Sequence, residues 1–130
     1  MKEQNLSKSF EDYLETIYVL KNNKKVVRIK DIANNLSVSL PSVNMAIKKL
    51  DDKNLVVYEK YGFVQLTENG EKIAKEVYKK HKALLEFFTD FLKVNEKTAL
   101  QDACIMEHGL SKPTLLKLEK FIKKLKGGKK

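Results

Sequence analysis

Five consecutive residues, Cys104-Ile105-Met106-Glu107-His108, place a thiol, a carboxylate and an imidazole at i, i+3 and i+4. On a helix these three side chains project from one face, which is how sites for divalent transition metals are commonly begun. Ala99, Leu100 and Ala103 lie on or beside that face, so the donors are expected to point inward. Donors buried together need either a metal or mutual hydrogen bonds. The plainer alternative is one buried cysteine with a glutamate and a histidine at a helix end, and the run alone does not separate the two.

Several elements must position this run. Asn95 is a natural cap for the helix that carries Cys104, Glu107 and His108 to Gly109, a suitable residue just past a helix end. Before it, Thr67 can cap a long helix with apolar positions Ile73, Ala74, Val77, Tyr78, Leu84, Leu85, Phe88, Phe91 and Leu92. His81 falls on that stripe, either as a satisfied core histidine or as a further ligand. Ser111 before Lys112-Pro113 opens a last helix, with Leu115, Leu118, Ile122 and Leu125 at helical spacing and its lysines as a solvated face. Gly127-Gly128-Lys129-Lys130 has no such pattern and reads as a frayed end. At the other end of the chain, Phe10, Tyr13, Leu14, Ile17, Tyr18 and Leu20 trace a stripe behind Ser7 or Ser9, either of which can cap a first helix. Asp12 and Glu15 sit one turn apart on its more polar side, so both carboxylates can reach one neighbour.

Between these lies a second kind of pattern. Ile29, Ile32, Ala33 and Leu36 predict a short second helix, broken at Ser37-Val38-Ser39-Leu40-Pro41, with Pro41 in the first turn of a third. In that third helix Val43, Ile47 and Leu50 face inward, whereas Pro41, Ser42, Asn44, Met45, Lys48 and Lys49 face outward. Small polar residues first and lysines later match a helix-turn-helix whose leading residues, from Ser39 on, meet base edges while its lysines reach phosphates. An ordinary helical hairpin with a solvated lysine face is the rival. The following stretch, Leu55 to Leu66, is rich in β-branched and aromatic residues with Gly62 at a turn, and predicts a hairpin. A hairpin directly after a recognition helix is a wing, with Lys60 and Tyr61 at its tip as backbone contacts. Arg28 is a further candidate for DNA contact.

Composition agrees. Among 130 residues, 26 basic and 17 acidic side chains give a net charge of +9, with Arg28 the only arginine. That balance favours an anionic partner, nucleic acid before membrane. A hydrophobic fraction of 42% suffices for a core, which excludes wholesale disorder. There is no apolar run of membrane-spanning length, and the polar start Met1-Lys2-Glu3-Gln4-Asn5 has no secretory h-region, so a cytoplasmic protein is expected. One cysteine cannot form an internal disulfide and is left available as a ligand. The expected fold is mainly α: a winged helix-turn-helix domain over residues 1–67, then a helical dimerisation and metal-binding domain over 68–130. The last three helices carry more apolar surface than one small unit covers, so a homodimer presenting two recognition helices to a palindromic duplex is expected.

Taken in order, Ser9-Phe10-Glu11-Asp12-Tyr13-Leu14-Glu15-Thr16-Ile17-Tyr18, Asp31-Ile32-Ala33 through Ser42-Val43, Leu66-Thr67-x-x-Gly70, His81, and Cys104-x-x-Glu107-His108-Gly109-Leu110-Ser111 strongly resemble the DtxR/MntR family of metal-activated transcriptional repressors. The resemblance spans roughly residues 7 to 125. It implies a main metal site of Asp12, Cys104, Glu107 and His108, with His81 and Glu15 at or beside it. Asp12 is the residue of manganese-type members, where iron-type members have methionine; Cys104 is the residue of iron-type members, where manganese-type members have glutamate. Leu85 and Leu100 stand where iron-type members carry a further glutamate and histidine, so a second iron-type site is expected to be incomplete. Glu86 lies about 100° round the helix and substitutes poorly for Leu85. The chain resembles the short form of the family, without the SH3-like C-terminal domain.

The expected function is repression activated by Fe2+ or Mn2+, controlling metal-uptake genes as the resemblance implies, with Zn2+ or Co2+ able to bind in vitro. The thiolate argues for Fe2+, while the carboxylates accept either ion. Two other classes stand beside it. One is a metal-independent winged-helix protein, in which chelator leaves DNA affinity unchanged. The other is an enzyme using Cys104 and His108 as nucleophile and base, which the absence of a phosphate-cradling glycine loop, with only five glycines and two histidines in all, argues against; no small organic substrate is expected.

Overall fold

The computed structural model describes residues 8–24, 26–59 and 62–128. The chain divides into two compact units, residues 1–76 and 77–130.

In the first unit, α1 (Lys8–Asn23) buries Tyr13, Leu14 and Ile17, the inward positions of its stripe. Ser7, one of its two expected caps, lies outside the described residues. A two-residue strand β1 (Val27–Arg28) leads into α2 (Ile29–Leu36), whose first turn is closed by the Arg28 N–H donating to Asp31 Oδ2 at 2.9 Å. That hydrogen bond, with lesser help from the Lys24 ammonium, holds the Asp31 carboxyl below the usual carboxylate range. Ser37 ends α2 in the left-handed region at φ 58°, and its N–H returns to the Ala33 carbonyl. Ser39 then caps α3 (Leu40–Asp52) by accepting from the Ser42 N–H at 3.3 Å, with Pro41 in the first turn. Val43, Ile47 and Leu50 are fully buried, as their spacing predicts.

The wing follows. Strands β2 (Val56–Tyr58) and β3 (Phe63–Leu66) pair antiparallel with Tyr58 opposite Val64, and β1 adds to the far side of β3 with Val27 opposite Val64. Gly62 takes φ 83° in the connecting turn, a conformation that glycine adopts without strain. Strand β1 is absent from the sequence reading, because two residues carry no period.

Thr67 does two things. Its N–H and hydroxyl donate to the carbonyls of Leu55 and Asn54, and its Oγ1 accepts from the Gly70 N–H at 3.0 Å to cap α4 (Glu68–Glu86). Gly70 is required there, since a Cβ would lie 1.9 Å from the Leu55 carbonyl oxygen. The core of the unit runs from Tyr13 through Ile32, Ile47 and Val56 to Ala74.

The second unit begins within α4. The expected helix to Leu92 stops at Glu86 and passes into a π-helical turn, Phe87–Phe91, with the Leu92 N–H bonded to the Phe87 carbonyl. Leu92 is therefore 55% exposed instead of facing the core. Helix α5 (Glu96–Glu107) is capped by Asn95 Oδ1, which accepts from the N–H groups of Lys97 and Thr98. It buries Ala99 and Ala103 but leaves Leu100 43% exposed, so Leu100 is not on its inward face. Helix α6 (Lys112–Gly128) buries Leu115 and Ile122, and Phe121 stacks edge-on against Phe87. Its helical backbone continues through Gly127 and Gly128, where the sequence predicts fraying. No helix among the described residues is long and apolar enough to cross a membrane.

Candidate metal centre and nucleic-acid interface

Within the second unit three donors converge. His81, on α4, brings Nδ1 to 2.7 Å from Glu107 Oε1, and His108 brings Nε2 to 3.2 Å from Glu107 Oε2. Glu107 is 1% exposed, the most deeply buried acidic side chain among the described residues, and His108 is nearly as enclosed. Local structure explains the geometry. Glu107 closes α5 and His108 is its C-cap, still in the right-handed helical region at φ −86° and ψ −14°, so its ring keeps a helix-like direction beside Glu107. Cys104, one turn earlier, is half-buried.

The donor set fits a first-row divalent ion. Imidazole nitrogens and a carboxylate are the ligand types such ions take, and metal–ligand bonds of roughly 2.0–2.2 Å put neighbouring donors about 3 Å apart. The separations at Glu107 are of that size. Leu85 and Leu100 are apolar and supply no donors, and the neighbouring Glu86 is ion-paired with Lys126, whose ammonium it holds in the charged form. Asp12 and Glu15 lie on α1 in the first unit, both half-buried and one turn apart.

The first unit carries the other expected site. Pro41, Ser42, Asn44, Met45, Lys48 and Lys49 are all exposed on one side of α3, as their spacing predicts. The Ser39 hydroxyl is exposed too, but it is engaged in capping and in a 2.9 Å bond to the Ser42 hydroxyl. Arg28 is exposed on β1 with its guanidinium 5.0 Å over the Phe63 ring, a cation–π contact that braces it against the wing. Lys60 and Tyr61 lie outside the described residues. Sequence reasoning missed three residues here. Lys24 and Lys30 line one surface depression with Arg28, and the Tyr58 hydroxyl donates to Asn44 Oδ1 at 3.4 Å. Only the cluster of basic residues from 24 to 30 signalled the first two; nothing local signals the third.

Comparison with other proteins converges on one family. Residues 5–64 match the model described as iron dependent repressor, N-terminal DNA binding domain, and residues 67–127 match the iron dependent repressor metal binding and dimerisation domain. An uncharacterised HTH-type transcriptional regulator of Methanocaldococcus jannaschii is 39% identical over 122 residues, covering 93% of this chain and 98% of that protein. The HTH-type transcriptional regulator MntR of Lysinibacillus sphaericus is 43% identical over 103 residues, 79% of this chain and 73% of that protein. Among solved structures, the manganese regulator SloR aligns with a TM-score of 0.78 at 32% identity over 88% of this chain, and the metal-dependent transcriptional regulator MtsR with 0.83 at 27% over 91%. The chain spans about half the length of these two structures, 53% and 55%.

Proposed function

This chain belongs to the iron dependent repressor family of metal-dependent transcriptional regulators, and we propose that it is a repressor whose DNA binding is activated by Fe2+ or Mn2+. The observation that carries the reading is Glu107, a carboxylate with 1% exposure and an imidazole nitrogen beside each of its oxygens. Removing such a cluster from water is costly unless charge is balanced within it. We assign His81, Cys104, Glu107 and His108 as the donors of the second unit. Asp12 and Glu15 complete the set on the strength of the sequence pattern of α1. When bound, a divalent cation supplies the balancing positive charge and bonds to nitrogen, oxygen and sulfur donors.

The residues of this chain do the rest. His81 orients Glu107 through its 2.7 Å bond at Oε1, and His108 sets Nε2 3.2 Å from Oε2 as a second donor for the same ion. Because the assigned donors include carboxylates of the DNA-binding unit, metal affinity and DNA affinity are linked, each tightening the other by the same factor, typically about 1–3 kcal/mol. Cys104 is the soft donor and favours Fe2+, while Asp12, Glu15 and Glu107 accept Fe2+ or Mn2+; Zn2+ and Co2+ bind in vitro by raw affinity without being the signal. Residues 1–67 carry DNA binding and 68–130 carry dimerisation and metal binding. Two copies on a palindromic operator place Ser39, Pro41, Ser42, Asn44 and Met45 at base edges and Lys48, Lys49 and Arg28 at phosphates, with Lys60 and Tyr61 assigned to the wing tip from sequence. Metal-uptake genes are the targets this reading names, and no catalytic role is assigned to Cys104.

The test is an anaerobic titration of a duplex selected from a random-sequence library, with Fe2+, Mn2+, Zn2+ or chelator, for the wild type, Glu107→Ala and Asp12→Ala. The wild type should bind at least tenfold more tightly with Fe2+ or Mn2+ than with chelator, and both variants should lose that gain. An affinity indifferent to metal and to both substitutions returns the chain to a metal-independent winged-helix protein. In the same assay Co2+ should give a thiolate charge-transfer band that Cys104→Ser abolishes.

A further inference from the structure

The exposed large apolar side chains of the first unit are concentrated. Of the five among its described residues, Val26 and Val57 lie beside or in the small sheet, whereas Val38, Leu40 and Met45, 39%, 50% and 62% exposed, lie together on the turn or the leading half of α3. Single exposed apolar groups are ordinary, but two on the leading half of a helix with a third on the turn before it form a candidate contact surface. The polar residues around them narrow what that surface meets. The stretch Ser39–Asp52 contains no arginine and no glutamine, two of the side chains that read purines bidentately. Lys48 and Lys49 begin about 12 Å along the helix from Leu40, beyond the leading residues that meet base edges.

Asn44 is then the one side chain on this stretch with the amide of a bidentate purine reader. Tyr58 donates to its Oδ1, which leaves Nδ2 free to donate and a second Oδ1 lone pair to accept. That is the complement of adenine N7 and N6 in the major groove. The partner of adenine carries the one apolar group on that edge of the base pairs, the C5-methyl of thymine.

We propose that Met45 and Leu40 read thymine methyl groups beside an adenine read by Asn44, so that the operator half-site is specified by A·T pairs and not by guanine. The assignment rests on the DNA-binding role proposed above. Tyr58 is a positioning residue: it fixes which edge of the Asn44 amide faces the groove.

Selection of duplexes from a random library by the full chain with Mn2+ tests this, followed by replacement of thymines in the selected half-site by deoxyuridine, which removes only the methyl. The expected half-site core is A·T, and each contacted methyl removed should lower wild-type affinity about fourfold. Met45→Ala, at an exposed position that leaves the fold intact, should bind thymine and uracil duplexes equally at its own position. Tyr58→Phe should relax the preference for adenine while leaving the uracil effect in place. A guanine-centred half-site, or wild-type affinity unchanged by uracil, overturns the proposal. Retention of the library without enrichment also overturns it but leaves non-specific DNA binding standing. Retention of no duplex at all overturns the DNA-binding role first and this assignment with it.

Discussion

The two units solve opposite problems. The first closes a continuous apolar core from Tyr13 to Ala74 and turns its charge outward. The second buries Glu107 while leaving Leu92, Leu100, Ile105, Met106, Leu116 and Phe121 each more than 40% exposed. A core that is complete on its own holds the helix-turn-helix and its wing in one arrangement. On the function proposed above, the buried carboxylate of the second unit is completed by an ion and its uncovered aliphatic and aromatic surface by a second copy. The division of labour in the family model, DNA binding first and metal binding with dimerisation second, follows the same line.

The sharpest way to break this contrast is Gly70→Ala. Its new Cβ meets the Leu55 carbonyl at 1.9 Å, a backbone atom that cannot swing aside. A loss of about 3 kcal/mol is expected by urea denaturation. A wild-type midpoint for this variant would mean that the first unit is less tightly determined than its core implies.

The second unit should respond differently. Leu116→Asp with Phe121→Asp, at positions 54% and 52% exposed, should leave helicity by circular dichroism unchanged while weakening self-association more than tenfold by sedimentation equilibrium. Helicity lost in parallel with the dimer would show that this surface supports the fold of the monomer as well.

The smallest effect concerns a polar detail of the first unit. The Asp31 carboxyl titrates below its ordinary value because the Arg28 N–H donates to it. A depressed folded pKa stabilises the fold above about pH 4, the ordinary carboxylate range, and that contribution disappears as pH falls through the folded value. Asp31→Asn should therefore cost about 0.5–1 kcal/mol at pH 7, with the gap to wild type closing as the solution is acidified toward pH 3. A gap that widens on acidification would reverse the assignment.

How far the sequence reaches varies along the chain. Ser39, Thr67 and Asn95 cap the helices they are expected to cap, because a cap is a bond between residues two or three apart. The apolar rows of α1, α2 and α3 face the core as spaced, with Phe10, Tyr18, Leu20 and Leu36 partly buried at its edge, since period 3.6 is a local property. Reading fails where a neighbour in space intervenes. Leu92 was placed on a helical row that the π-helical turn at Phe87–Phe91 rotates out of register, and β1 exists only because β3 is beside it.

By itself the sequence determined the six α-helices except where α4 ends, the caps Ser39, Thr67 and Asn95, the helix-turn-helix with its hairpin wing, and which side chains have metal-donor chemistry. It also held the motif Leu66-Thr67-x-x-Gly70 without its reason. Tertiary structure decided that Gly70 must admit the Leu55 carbonyl, that His81 meets a carboxylate 26 residues away, and that Tyr58 holds Asn44 from across the wing. The physical reason is range. Periodicity and capping act within a few residues along the chain, whereas the environment of a buried carboxylate or the orientation of an amide is set by whichever elements packing brings beside it.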